Sequence, residues 1–335
     1  MRGQSLTGGA SGVSHFGGGF GIVGAFDREE EPLHFLSGFC GGNRGRRLRS
    51  TGIRSFNMTT IRQQRFDEER ALYSVRDLLI KDCVFDGPAD GESALKECRD
   101  VVVEDCRFCL RYPFWHDKKL RIERSDMTES CRAAIWYCDS VEIRNSNLHG
   151  IKAVRECSDV RIEGCDIISA EFGWFIRGMT MEQCRAESEY FMMRSDHLGF
   201  RDVRFKGKYS FQYITDSVFE RCTFDTKDAF WHGKNILVRD SIVQGEYLSW
   251  YSENVTFERC KIVGTQPFCY CKGLRLVDCE MIDTDLAFER SEVEANLLAP
   301  IVSIKNPLSG RIRVPAVGEI IRDIDGAEGE IITDA

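Results

Sequence analysis

No run of apolar residues in the 335-residue sequence approaches the roughly 18 that a membrane-spanning helix requires, so no membrane partner is expected. No GxGxxG or phosphate-binding loop opens a helical pattern, and no HExxH occurs. Neither a nucleotide cofactor nor a metal is therefore expected. Positive charge is in deficit: 45 Lys and Arg stand against 53 Asp and Glu, a net charge of −8, which argues against binding nucleic-acid backbone. Helical periodicity is missing as well, because from residue 75 to residue 291 no window of 11 or more residues carries a 3.6-residue apolar stripe. What is present is a composition 42% hydrophobic and 29% charged, that of a soluble protein with a real core.

The 30 glycines are uneven, with 14 of them in residues 1–57. That segment has a local net charge of +3 and no periodicity, and it includes the basic run Arg44 to Arg49. Its short apolar stretch Ile22 to Phe26 runs straight into Asp27-Arg28-Glu29-Glu30-Glu31, which is unlike a secretory signal. Residues 1–57 therefore read as a disordered glycine-rich leader, and Met58 as a candidate true first residue. The competing reading is a basic arm for an acidic partner.

From residue 75 one pattern recurs: Asp or Asn, apolar, any, apolar, two polar residues, Cys or Ser, any, apolar. Its Cys/Ser marker falls at Cys83, Cys106, Ser125, Ser146, Cys165, Cys184, Val203, Cys222, Ser241, Cys260 and Cys279, mostly 19 residues apart. The residues three before and two after the marker are apolar in all 11 repeats. The residue five before is apolar except at Ser217. Alternation over a few residues means short half-buried strands, and a fixed period near 19 means coils that stack. The expected fold is all-β, a right-handed single-stranded parallel β-helix of about 11 coils over residues 58–291. Leucine-rich repeats compete, but Leu is sparse in these columns. Met58 to Arg70 is expected to cover the first coil, and residues 292–335 to form a C-terminal cap of the same domain.

Seven of the 11 markers are Cys, and the 15 cysteines are odd in number. A stacked ladder of small inward residues explains them better than a disulfide framework, and this points to a reducing cytoplasm. The lone CxxC at Cys106 and Cys109 lacks the second ligand pair of a zinc site. Asp90 and Glu92, in the inserted turn Gly87 to Glu92, are weak candidates for a hard cation.

The third strand of each coil is expected seven to ten residues after the marker. Both of its alternating sets are aromatic-rich, and one must face outward, because neighbouring residues on a strand face opposite sides. Exposed contiguous aromatics mark a groove or an interface. Candidate ligand-binding residues are Arg111, Trp115, His116, Lys152, Arg155, Glu171, Trp174, Tyr213, Trp231, Trp250 and Tyr251. Candidate acid, base or electrostatic groups are Glu189, Lys208, Lys227, Asp228, His232 and Glu246. Carboxylates on nearby coils suit glycoside hydrolysis, and lysines suit a polysaccharide lyase. The plain alternative is rung-to-rung ion pairs on a solvated edge.

The strings GPADGESALKE (87–97), RYPFWH (111–116), DTKDAFWH (225–232) and GEYLSWYSEN (245–254) resemble a bacterial family, the domain of unknown function 3737. The resemblance implies a pectin-lyase-like β-helix and no established activity, so it implies no catalytic residue. The reading drawn from the residues is a cytoplasmic β-helix that binds or processes an extended carbohydrate-like ligand on its aromatic third side. The alternative is a non-catalytic scaffold or homo-oligomer whose aromatic face is a protein interface.

Overall fold

Each apolar column of the repeat becomes one row of a parallel sheet. In the register Ile80, Val103, Ile122, Ile143, Ile162, Met181, Phe200, Phe219, Val238, Phe257 and Leu276, every residue stands directly beside the next. A computed structural model describes residues 58–334, and the expected leader 1–57 lies outside the described residues. The fold is an all-β parallel solenoid with no helix among the described residues. A typical coil has a six-residue strand such as Lys118–Glu123, a corner, a second strand such as Asp126–Met127, and a third segment that returns to the next coil. The first strands form one continuous sheet and the second strands another. Leu274–Ile282 is long enough to belong to both.

The stack has about 14 turns, not 11. At the start, Met58 to Arg70 is not a cover: Thr59–Arg62 and Arg65–Phe66 are strands of a full coil, paired with Arg76–Lys81 and Val84–Phe85. The marker count missed this coil because no Cys or Ser holds its corner. At the other end, Glu292–Leu297, Ser309–Val314 and Glu330–Thr333 extend the first sheet in parallel. The marker motif is lost there while the pairing continues.

Corners are made by single residues with left-handed backbone. Just before the marker stand Asp82, Asp105, Arg124, Asn145, Gln183, Asp202, Arg221 and Asp240, all with φ between 48° and 55°. Asp, Asn and Gly tolerate this conformation best, which is why the column is rich in them. Where Arg stands there, it pairs with the Asp one coil below. Arg124 with Asp105, Arg221 with Asp202 and Arg259 with Asp240 are each held at 2.7–2.8 Å through Nε.

The marker side chains do hydrogen-bonding work at the next position. Ser125 Oγ accepts the Cys106 N–H at 3.1 Å and donates to the Glu123 carbonyl at 3.0 Å. Cys106 Sγ likewise accepts from Cys83 N at 3.4 Å and donates to the Glu104 carbonyl at 3.1 Å. A small side chain with one acceptor and one donor thus closes these corners, Val203 excepted, and both Ser and Cys can fill the role. Ser217, the polar exception in its column, uses the same device: it accepts from Leu198 N at 3.2 Å and donates to the Thr215 carbonyl at 2.7 Å. The core between the sheets is filled by phenylalanines, which meet mostly edge to face around Phe211. Phe211 alone contacts the rings of Phe191, Phe200, Phe205, Phe219, Phe224 and Phe230. Burying a side chain of this size contributes about 2–3 kcal/mol.

Candidate functional site

The third segment does not alternate. In nearly every coil two consecutive residues point in and the next two point out. Ala229 and Phe230 are buried while Trp231 and His232 reach the surface; Leu248 and Ser249 are buried while Trp250 and Tyr251 emerge. The expectation that one alternating set faces outward is corrected accordingly. The physical reason is backbone conformation: Phe211, Phe230, Ser249 and Phe268 have φ between 57° and 63°, which rotates each following residue away from strand geometry. Phe114–Trp115, Ile135–Trp136 and Val154–Arg155 pair as short strands on this side, as do Ile301–Lys305 and Val317–Ile321 in the terminal coils.

Both outward positions form columns along the rod. The inner one holds half-buried Trp115, Trp136, Arg155, Trp174, Met193, Gln212, Trp231 and Trp250. Its indoles are stapled to the next coil: Trp231 Nε1 donates to the Tyr247 carbonyl and Trp250 Nε1 to the Gln266 carbonyl, both at 2.7 Å. Trp231 and Trp250 lie parallel, 5.4 Å apart. At Arg155 the column has no ring, and the guanidinium fills the rung, 5.2 Å from the Trp136 ring and 4.6 Å from that of Trp174. The outer column holds His116, Tyr137, Glu156, Phe175, Arg194, Tyr213, His232, Tyr251 and Tyr270. Here Tyr213, His232, Tyr251 and Tyr270 stack face to face at 4.8, 5.2 and 4.7 Å. His116 stacks on Tyr137 at 4.9 Å.

The charged candidates are brought together in pairs, not into one centre. Glu189 meets Lys208 at 3.0 Å and Lys227 meets Glu246 at 2.8 Å, each across one rung. The hydrogen bond each lysine donates to its partner carboxylate raises that lysine above its ordinary value, whereas a lysine base needs the reverse. Asp228 follows Lys227 at the corner, nearly buried, and that burial raises its carboxyl. His232 lies four residues on, in the outer column, where partial burial lowers its pKa. Lys152 and Arg155 both face Glu171, at 3.4 and 3.6 Å. Arg111 faces Asp90 at 3.0 Å and Glu92 at 3.7 Å, so the acidic turn offered for a cation is turned toward a guanidinium.

Sequence reading missed Trp136, Tyr137 and Phe175, and a further tyrosine column, Tyr190, Tyr209 and Tyr247, at the opposite corner of the third segment. Tyr190 and Tyr209 stack there at 4.9 Å. Aligning every residue at the 19-residue offset would have found them, since they recur like the marker. It also missed a second corner ladder, Cys98, Asp117, Cys138, Cys157 and Ser195, which closes the turn into the first strand.

A family model described as "Protein of unknown function (DUF3737)" matches residues 59–332. The chain belongs to this family. No curated protein matches it. Similar solved structures include HetL, a pentapeptide repeat protein involved in heterocyst differentiation regulation from the cyanobacterium Nostoc sp., at 10% identity over 69% of this chain and 90% of that one, with a TM-score of 0.23. Another is the A-module of mannuronan C-5 epimerase AlgE4 from Azotobacter vinelandii, at 10% identity over 73% of this chain and 82% of that one, with a TM-score of 0.25. TM-scores this low carry no argument about function.

Proposed function

We propose that this member of a family of unknown function is a non-catalytic scaffold whose aromatic third side pairs with a second copy of the chain. The supporting observation is the unbroken stack Tyr213, His232, Tyr251 and Tyr270 beside the parallel pair Trp231 and Trp250. Stacking turns the ring faces toward one another, so the strip offers solvent a straight row of ring edges. Tyr213 is 42% and Tyr251 43% exposed. Rigid aromatic surface of this kind loses little side-chain entropy on contact and is what protein partners cover. Two-fold pairing would lay the same strip of a second rod against it. The paired charges fit a binding role, because Glu189, Lys208, Lys227 and Glu246, all offered for catalysis, already have their counter-ions.

A second reading keeps an extended carbohydrate-like ligand on this side. It is favoured by the once-per-coil repeat of tyrosine hydroxyls and imidazole nitrogens, which an extended polar chain can follow. Light scattering on the full chain from about 1 to 100 µM separates the two. A dimer that Trp250→Ala and Tyr251→Ser convert to monomer supports the scaffold. A monomer throughout overturns it, and glycan-array binding lost in Trp231→Ala would put the second reading in its place.

A further inference from the structure

The aromatic strip is bounded by an arginine at each end. Arg194, Tyr213, His232, Tyr251, Tyr270 and Arg290 all have φ between 54° and 60°, and the backbone N–H of each donates to a carbonyl of the coil above. They are successive members of one column, on rungs about 4.8 Å apart. Phe175, 42% exposed, stands one rung below Arg194. The Arg194 guanidinium lies 4.7 Å over the Tyr213 ring, and both arginines are exposed.

These charges restrict how two such strips can meet. A two-fold axis along the rod sets each residue against its own copy, so arginine faces arginine at both ends. An axis across the rod reverses the second strip, and its position decides what faces what. Midway between His232 and Tyr251, it sets Arg194 against Arg290 of the second copy, like charges again. Through Tyr251, it leaves Arg194 beyond the end of the facing strip. Midway between Tyr213 and His232, it sets Arg290 against Glu156, whose carboxylate is already held by Trp136 Nε1 at 3.1 Å. Through His232, it sets Arg194 against Tyr270, Arg290 against Phe175 and Tyr213 against Tyr251. Every position from Phe175 to Arg290 then has a counterpart, and no two guanidiniums meet.

We infer that two rods pair antiparallel about an axis through His232, so that the imidazoles of the two copies face each other and acid separates them. This inference rests on the pairing proposed above and adds its register and its regulation. Arginine suits its place, because a guanidinium stacks on a ring and donates hydrogen bonds to a phenol oxygen. Two imidazoles in contact share a hydrogen bond while at least one is neutral, whereas two imidazoliums repel. Tyr213 and Tyr251 lie on the two faces of His232, and the ion pair of Lys234 with Glu253, 3.1 Å apart, follows in the next strands. Partial burial already lowers the His232 pKa. A facing imidazolium lowers it further, so the chains take up protons as they separate, and pairing weakens as pH falls.

The test uses the full chain with Cys40→Ser and Cys109→Ser, which leaves only buried thiols among the described residues. His232→Cys, Tyr213→Cys and Tyr251→Cys are added one at a time and oxidised with diamide. His232→Cys is expected to form a covalent dimer by itself, and Tyr213→Cys and Tyr251→Cys only when mixed. By light scattering, the dissociation constant of the wild type should rise at least about tenfold from about pH 7.5 to about pH 5.5. His232→Gln should remove that rise and leave the melting temperature unchanged. Tyr251→Cys coupling to itself, His232→Cys failing to couple in a dimeric chain, or a pH response that survives His232→Gln overturns this inference and leaves the pairing standing. A wild type that stays monomeric at about pH 7.5 overturns both.

Discussion

Asp117 Oδ1 accepts the backbone N–H of Cys98, one coil below, at 2.6 Å. Asp117 is the only carboxylate in a ladder of thiols and hydroxyls, and its other oxygen, Oδ2, is buried with no partner. At equivalent corners Cys138, Cys157 and Ser195 donate to the carbonyl two residues earlier, at 3.4, 3.1 and 3.4 Å. A carboxyl can take that donor role only by keeping its proton. Burial favours this, pushing the Asp117 carboxyl up to about 8, with Glu97 adding to the rise and the Cys98 N–H opposing it.

The consequence is a stability that falls with pH. The folded chain holds a proton that the unfolded chain releases above about pH 4. Asp117 therefore stabilises fully below that value, loses its contribution by at most about 1.4 kcal/mol per pH unit, and contributes nothing more above about pH 8. Urea midpoints at pH 5, 7 and 9 should fall for the wild type and fall less for Asp117→Ser, which keeps an acceptor and a donor. Parallel profiles would show that Asp117 is ionised throughout.

Corner closure by the marker column depends on function, not on sulfur. Ser125→Cys should cost less than about 1 kcal/mol, while Ser125→Ala, which strands the Cys106 N–H, should cost about 1–3 kcal/mol. Denaturant unfolding of the two variants checks this, and equal losses would refute the hydrogen-bond account.

Phenylalanine rings cluster around Phe211 in the core. Phe211→Ala removes a fully buried ring in contact with six others and should cost about 3–5 kcal/mol. A loss below about 1 kcal/mol by chemical denaturation would mean that neighbouring rings collapse into the space.

Thiol reactivity should follow burial. Burial pushes the Cys98 and Cys106 thiols up to about 12, while Cys109 alone among the described cysteines is partly exposed. In a Cys40→Ser background, native protein should show one fast-reacting thiol toward an aromatic disulfide reagent, and Cys109→Ser should remove it. Several fast thiols would mean that the coils open readily.

The first two strands of each coil were readable from the chain alone, because their side chains alternate. The buried columns from Ile80 to Leu276 and from Phe85 to Met281 follow directly from that rule. The third segment was not readable by the same rule. Left-handed residues such as Phe230 and Ser249 carry no sequence signature, since bulky side chains adopt that conformation only when the coils above and below hold them. The outward pairing of Trp231 with His232, and hence the two columns, follows from that. The terminal coils were missed for a simpler reason: pairing of backbone continues where the marker stops.

Period and alternation are local properties, so the order of residues alone establishes a stacked parallel solenoid and its inward columns. Which charged groups meet is a different matter. Glu189 finds Lys208 and Lys227 finds Glu246 because residues 19 apart become neighbours only once the coils are in register. The same stacking spends the ring faces of Tyr251 and Tyr270 on each other, and leaves the Glu156 rung without a ring. Side-chain chemistry was legible in the chain; its pairing was settled by three-dimensional register.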